Sequence, residues 1–288
     1  MKDITRLLCM VLLSFLVVTG CSRRDILDDY PVSGVEVRLD WSGVTEKLPE
    51  GVRIIFYPKD EKGRKIDTYL SVTGGEVKVP SGHYAVVIYN YDTETVLIRG
   101  EESYETIQAY TNFCKLGIAG TEKMVWGPDP LYVVNIDDLD IQNSEETLIL
   151  KLKPKLVIRT YSFSIKVQGL SNVSNVIGSI GGMADHYFLG KAYAMCDDYP
   201  INIDLNVKAG KIEGVFTTFG LPEAIITRLE IKLPVMMNLM IIKVDNSVQE
   251  VKINITEAVQ EPTGGGEGGE GELSLIHISE PTRLLSIS

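Results

Sequence analysis

Cys21 is the residue whose chemistry is most sharply set by its neighbours. Val18-Thr19-Gly20 stand directly before it, with an aliphatic residue three positions ahead and small residues beside the cut. A lipoprotein signal peptidase needs this pattern to hold the chain extended. The chemistry is transfer of a diacylglyceryl group to the Cys21 thiol as a thioether, cleavage after Gly20, and acylation of the new amino terminus. Lys2 and Arg6 precede an apolar run from Leu7 to Val18, the layout of an export signal, and that run is too short to span a bilayer comfortably as a helix. Two or more acyl chains, at about 0.8 kcal/mol per buried methylene, give stable attachment. The mature chain is therefore expected to be tethered to a membrane rather than to cross it.

Other residues that could do chemistry are few. Outside the tail the histidines are His83 and His186. His83 follows a turn at a strand start and reads as structural. Asp185-His186 lies near Ser179 in the sequence, but no Gly-x-Ser-x-Gly elbow is present, and a triad is defined by spatial geometry rather than by closeness in sequence. Asn135, Asp137, Asp138 and Asp140 offer oxygen ligands, yet the run lacks the glycine and distal glutamate of a calcium loop and reads as a solvated acidic turn. Neither a catalytic residue, a metal site nor a cofactor site is expected. Cys9 leaves with the signal and Cys21 is lipidated, so Cys114 and Cys196 remain, paired or free. Tyr84, Tyr89, Tyr91, Tyr104 and Tyr110 form an aromatic cluster that serves either as packing or as a binding face. The net charge is -11, and residues 1–20 carry a net +1, so the mature chain stands at -12. Such an acidic chain repels phosphate backbones, which argues against nucleic acid as a partner.

The elements that position these residues read as strands. Val35, Val37, Leu39 and Trp41 alternate with Glu36, Arg38 and Asp40, the period-two pattern of a strand with one buried face. Arg53 to Tyr57, Glu76 to Val79 and the continuous apolar run His83 to Asn90 follow, punctuated by Pro58, Gly74-Gly75 and Pro80-Ser-Gly82. Alternation returns at Leu148 to Leu152, Leu156 to Ile158, Ile165 to Val167, Ile201 to Val207, Leu229 to Leu233 and Val251 to Ile255. Strands this short and this closely spaced predict an all-β chain of two tandem β-sandwiches. Pro154, between two alternating runs, marks the expected passage from one to the other.

The expected organisation is a signal peptide over 1–20, a lipidated amino terminus and spacer over 21–33, an amino-terminal sandwich over 34–154 and a carboxy-terminal sandwich over 155–260. Residues 261–272, rich in glycine and glutamate, cannot bury apolar surface and read as a linker. Residues 273–288 resemble the conceptual translation of a sequencing-library adapter and are set aside.

Two stretches carry a family resemblance. Gly178-Ser-Ile-Gly-Gly-Met-Ala-Asp-His-Tyr187, containing Gly181, Gly182 and Met183, resembles the glycine-methionine-alanine segment of fimbrillin-type anchor and accessory lipoproteins of Gram-negative gut and oral anaerobes. Gly214-Val-Phe-Thr-Thr-Phe-Gly220, containing Phe216, Phe219 and Gly220, resembles their strand ending in Phe-Gly. The amino-terminal Gly74-Gly-x-Val-x-Val-Pro-x-Gly82 turn fits the same layout. The resemblance implies that the sandwiches are Greek-key and transthyretin-like, that the lipid anchor lies in the outer membrane at the cell surface, and that the chain is a non-catalytic subunit or adhesin that binds pilin partners by strand complementation. The residues leave a glycan- or host-ligand-binding lipoprotein as the alternative.

Overall fold

In the computed structural model, residues 32–45, 47–60, 63–114, 123–167, 170–208, 210–222, 234–260 and 271–272 are described. The export signal and Cys21 lie outside them, as does the strand expected over Leu229 to Leu233. Among the described residues no helix is long and apolar enough to cross a membrane.

The first half folds as β1 (Val32–Leu39), β2 (Gly51–Pro58), β3 (Ile66–Ser71), β4 (Gly74–Pro80), β5 (Gly82–Asn90), β6 (Val96–Arg99), β7 (Gln108–Thr111), β8 (Phe113–Cys114), β9 (Met124–Val125), β10 (Tyr132–Ile141), β11 (Leu148–Leu152) and β12 (Lys155–Leu156). The second half adds β13 (Arg159–Lys166), β14 (Val173–Gly181), β15 (His186–Phe188), β16 (Tyr193–Met195), β17 (Ile201–Lys208), β18 (Lys211–Thr218), β19 (Met236–Lys243) and β20 (Val248–Asn254). A single-turn helix α1 (Thr256–Gln260) and a two-residue strand β21 (Gly271–Glu272) close the described chain.

Eight strands of the first half form one sheet in the order β11-β1-β4-β3-β2-β5-β10-β12. Its two outermost strands, β11 and β12, are separated in the chain by only Lys153 and Pro154. The sheet must therefore curl until its ends meet, enclosing Val35, Val37, Ile54, Phe56, Val86 and Ile88. Trp41 closes one end, its indole N–H donating to the Val72 carbonyl at 2.6 Å while its ring meets Tyr132 edge-on.

The continuous apolar run of β5 has a direct cause: both faces of this strand are buried. Tyr84, Val86 and Ile88 face the interior of the roll, and Ala85, Val87 and Tyr89 face outward into a second core. β2 behaves likewise, with Ile54 and Phe56 inside and Ile55 and Tyr57 outside. Over this outer face lies a four-stranded sheet in the order β16-β15-β7-β6. Its strands come from both halves of the chain, with Tyr187 opposite Ala109 and His186 opposite Tyr110. Arg53 pins the connection after β6: its guanidinium bonds Asp67 and Glu101, each at 2.7 Å, and donates to the Tyr89 hydroxyl at 2.8 Å. These bonds, Asp67 first, hold its charge still more firmly than usual.

The remaining sheet runs β20-β19-β14-β17-β18-β13-β21, with β8 and β9 attached at β17. β17 turns a corner: Ile201 to Ile203 pair with β14, and Asp204 to Lys208 pair with β18. The strands on either side thus face one another across a third core, which includes Phe163, Ile180, Met183, Ile203, Phe216 and Leu239. One strand shared between two packed sheets is a recognised way of building a sandwich corner. The expected all-β, two-sandwich class is the fold observed. The four-stranded sheet between the two sandwiches was not foreseen.

Candidate functional site

The two family-like stretches meet in space. Gly182, at φ 81°, ends β14 and turns the chain so that Met183 enters the carboxy-terminal core and Ala184 the middle one. Gly220, at φ 97°, does the same after β18, with Phe216 in the carboxy-terminal core and Phe219 in the middle core. The two turns are tied directly: the Ala184 N–H donates to the Gly220 carbonyl at 2.9 Å, and the Thr218 hydroxyl donates to the Ala184 carbonyl at 3.0 Å. Gly181 precedes the turn with space around it. These residues form the junction between two cores, and none offers a reactive group. Val18, Thr19, Gly20 and Cys21 lie outside the described residues.

The sheet edges are the surfaces that could take a partner strand. β13 is hydrogen-bonded to β18 along all its positions from Arg159 to Lys166. On its other side, among the described residues, only Tyr161 and Ser162 are met, by β21. Tyr161, Phe163 and Ile165 point into the core and Ser162 and Ser164 to the opposite face, so charges occur only at the ends of the strand. β20, the opposite edge, carries Glu250 and Lys252, paired with each other at 3.2 Å. Charged residues of this kind blunt an edge against pairing. β16 and β6 are three and four residues long.

Chemistry-bearing residues elsewhere are occupied. The acidic run expected as a turn is instead part of β10, because Ile136, Leu139 and Ile141 supply an inward apolar pattern. A bulge between Ile136 and Leu139 absorbs Asp137 and Asp138. Asn135 donates to the Gly190 carbonyl, Asp137 accepts from the Tyr104 hydroxyl at 2.8 Å, and Asp138 pairs with Lys59 at 3.0 Å. The Lys59 bond holds the Asp138 carboxyl below its usual range. His83 is half exposed, 3.6 Å from Asp138 and 3.8 Å from Asp140. Ser179 sits on β14 opposite Asn202 and Asn238, and no hydrogen bond among the described residues joins it to His186.

The tyrosine cluster does not form an exposed platform, since Tyr84, Tyr89 and Tyr104 are buried and Tyr91 is exposed beside Tyr69. Burial is the main cause that pushes the phenols of Tyr57, Tyr89 and Tyr104 well above their ordinary range. A phenol whose folded-state pKa is raised contributes stability that is present below about pH 10, its unfolded value, and lost as pH climbs toward the folded one. Absorbance titration alongside circular dichroism at rising pH checks this. These three should ionise only as the strand signal collapses at higher pH. Ionisation of all tyrosines in one step with the fold intact would contradict their placement.

Cys114 and Cys196 are both free thiols. Burial, aided by the Asp185, Asp198 and Asp197 carboxylates, pushes the Cys196 thiol up to about 11, which disfavours the thiolate needed for attack. Beside it lies a group the sequence reading did not assemble. The His186 Nδ1 is 2.6 Å from Asp185 Oδ1 and 3.9 Å from Asp197 Oδ2. The N–H groups of Asp197 and Tyr199 donate to Asp185 Oδ2 at 2.8 and 3.3 Å. β15 and β16 pair so that His186 faces Met195, which returns the chain at 196–199 to the Asp185 carboxylate. A hairpin signal across Leu189-Gly190 is the feature that would have brought Asp197 to notice.

Comparison with known proteins places this architecture. A family model described as a domain of unknown function, DUF5119, matches residues 20–204. A Bacteroides ovatus protein bearing the name fimbrium anchoring subunit Fim4B is 51% identical over 274 residues, spanning 91% of this chain and 82% of the relative. The crystal structure of a protein described as an adhesin from Bacteroides ovatus is 52% identical with a TM-score of 0.75, covering 83% of this chain and 88% of that one. The fimbrial anchor protein Mfa2 from Porphyromonas gingivalis is 13% identical with a TM-score of 0.49, over 79% and 83% of the two chains. With half its residues shared with an anchoring subunit across nearly the whole chain, and the two motif stretches forming the junction described above, this chain belongs to the fimbrillin-type anchor and accessory family, in the group that carries the DUF5119 domain.

Proposed function

We propose that this protein is a non-catalytic, lipid-anchored subunit at the outer surface of the cell, held by acyl chains on Cys21, that fixes or extends a fimbrium by accepting a pilin strand. The relative named as a fimbrium anchoring subunit supports the fimbrial role. The observation that carries the mode of binding is the edge of β13, the longest edge without internal charge. A partner strand laid there gains main-chain hydrogen bonds, while Tyr161, Phe163 and Ile165 on the core face set the spacing for its side chains.

Replacing both Ser162 and Ser164 by lysine tests this. Both side chains lie away from the core, so the isolated protein is expected to keep its melting temperature within about 2 °C. Recovery of pilin with the anchor should fall about tenfold or more, or about 1.4 kcal/mol, because lysine on an edge opposes strand addition. Unchanged pilin recovery would remove β13 as the acceptor.

A further inference from the structure

We infer that Asp185, His186 and Asp197 form a binding site for a divalent transition ion of the zinc class, which fastens the four-stranded middle sheet to the carboxy-terminal sandwich. One nitrogen and two carboxylate oxygens converge from two separate segments, all within 4.8 Å of one another. The side chains of His186 and Asp185 are 6% and 4% exposed and that of Asp197 is 55% exposed. The site is thus walled by protein on one side and open to water on the other, the form in which three protein ligands leave a fourth position for solvent.

Two features favour a cation there. The first is orientation: both backbone donors to Asp185 engage Oδ2, which turns Oδ1 toward the imidazole. Outer hydrogen bonds of this kind fix the carboxylates in metal sites. The second is charge. Asp185 and Asp197 flank a single imidazole, and among the described residues no lysine or arginine forms an ion pair with either of them. Asp185 is the buried carboxylate of the two, and holding it without a fixed positive charge is costly, a cost that a bound divalent ion offsets.

The choice of ion follows from the donors. An imidazole with two carboxylates suits zinc and its neighbours, whereas calcium takes six to eight oxygens and magnesium rarely takes imidazole. Tetrahedral ligation at bonds of about 2.0 to 2.2 Å puts ligand atoms about 3.3 Å apart. The observed separations are 2.6 and 3.9 Å: Asp197, half exposed, closes the longer one, and the hydrogen bond between His186 and Asp185 opens as the ion takes the place of its proton.

The mechanical consequence comes from topology. Asp185 and His186 begin β15 of the middle sheet, and Asp197 opens the segment that enters β17, the corner strand of the carboxy-terminal sandwich. An ion between them crosslinks the two units.

The test is titration of the metal-stripped exported protein with zinc chloride by calorimetry, and with cobalt chloride by visible absorption. One ion per chain is expected, with a cobalt band typical of low coordination number. The melting temperature should rise roughly 5 °C or more when zinc exceeds its Kd about 100-fold, and chelator should reverse the rise. Asp197→Asn, at an exposed position, should weaken zinc at least about tenfold without shifting the metal-free melting temperature, while Asp198→Asn and Cys196→Ser should bind as the parent does. Absence of stoichiometric uptake, parent-like binding by Asp197→Asn, or loss of binding in Cys196→Ser would each overturn the assignment.

Discussion

Gly182→Ala should unfold the carboxy-terminal half far more readily than Gly210→Ala, a methyl group added at another turn of the same half. The residue stands at φ 81°, where a β-carbon costs about 1 to 2 kcal/mol in any sequence. Here it would also sit 2.5 Å from the Pro234 carbonyl oxygen and 3.3 Å from the Val235 α-carbon. Backbone cannot move aside as a flexible side chain can, so β14 and the segment leading into β19 must separate. Met183, fully buried one residue later, would be drawn from its core. The combined loss is expected at about 3 to 5 kcal/mol, a large share of the stability of an ordinary domain, or roughly 6 °C or more in melting temperature. Gly210 provides the comparison: it has φ 76° but nothing within 4 Å of a built β-carbon. Gly210→Ala should therefore lose only the conformational part, about 1 to 2 kcal/mol. Equal losses at the two positions, measured by calorimetry, would mean that the Pro234 contact does not hold this turn.

Cys21→Ala should have a larger effect on location and none on the fold. Without the thiol, no thioether forms and the lipoprotein signal peptidase has no substrate. The two or more acyl chains proposed to fix the protein to a bilayer would then be lost together. The expected result is transfer of the protein from the membrane pellet to soluble material or, where the uncleaved signal is retained, a larger species without labelled lipid. Metabolic labelling with palmitate followed by fractionation checks it. Retention of palmitate label in Cys21→Ala would place the lipid elsewhere.

Much of the fold could be read from the residues because period-two alternation survives wherever one face is buried. Val35 to Leu39, Leu148 to Leu152 and Ile201 to Val207 are such cases, and each became a strand. The pattern fails where both faces are buried or where a strand is too short to have a period. Met236 to Lys243 carries apolar residues on both faces and was not assigned as a strand, though it lies between β14 and β20. β15 and β16, three residues each, have no period to detect, yet they bind the two halves of the chain together. The acidic stretch from Asn135 to Asp140 misled because charge suggested a turn. Leu139 and Ile141 kept it in a strand, and a bulge gave the carboxylates room.

The functional residues divide in the same way. The proposed processing at Cys21 rests on sequence alone, because a processing enzyme would read the chain in extended form and sequence would be the recognised object. Gly182 and Gly220 were identified by resemblance, but their shared role appeared only when Ala184 was seen bonded to Gly220. The tyrosines around residue 89 could pack or bind, and burial of Tyr84, Tyr89 and Tyr104 decided for packing. Asp197 was invisible because its partnership with His186 depends on the β15–β16 hairpin.

The most direct test of the anchoring role is mild crosslinking of intact cells, recovery of this protein and mass spectrometry of what is attached, with Cys21→Ala cells treated in parallel. Pilin subunits should be recovered with the parent protein on cells, and pilin should leave the cells in the Cys21→Ala strain. Recovery of the parent protein without any protein partner, or pilin that stays on the cells when Cys21 is replaced, would contradict the account.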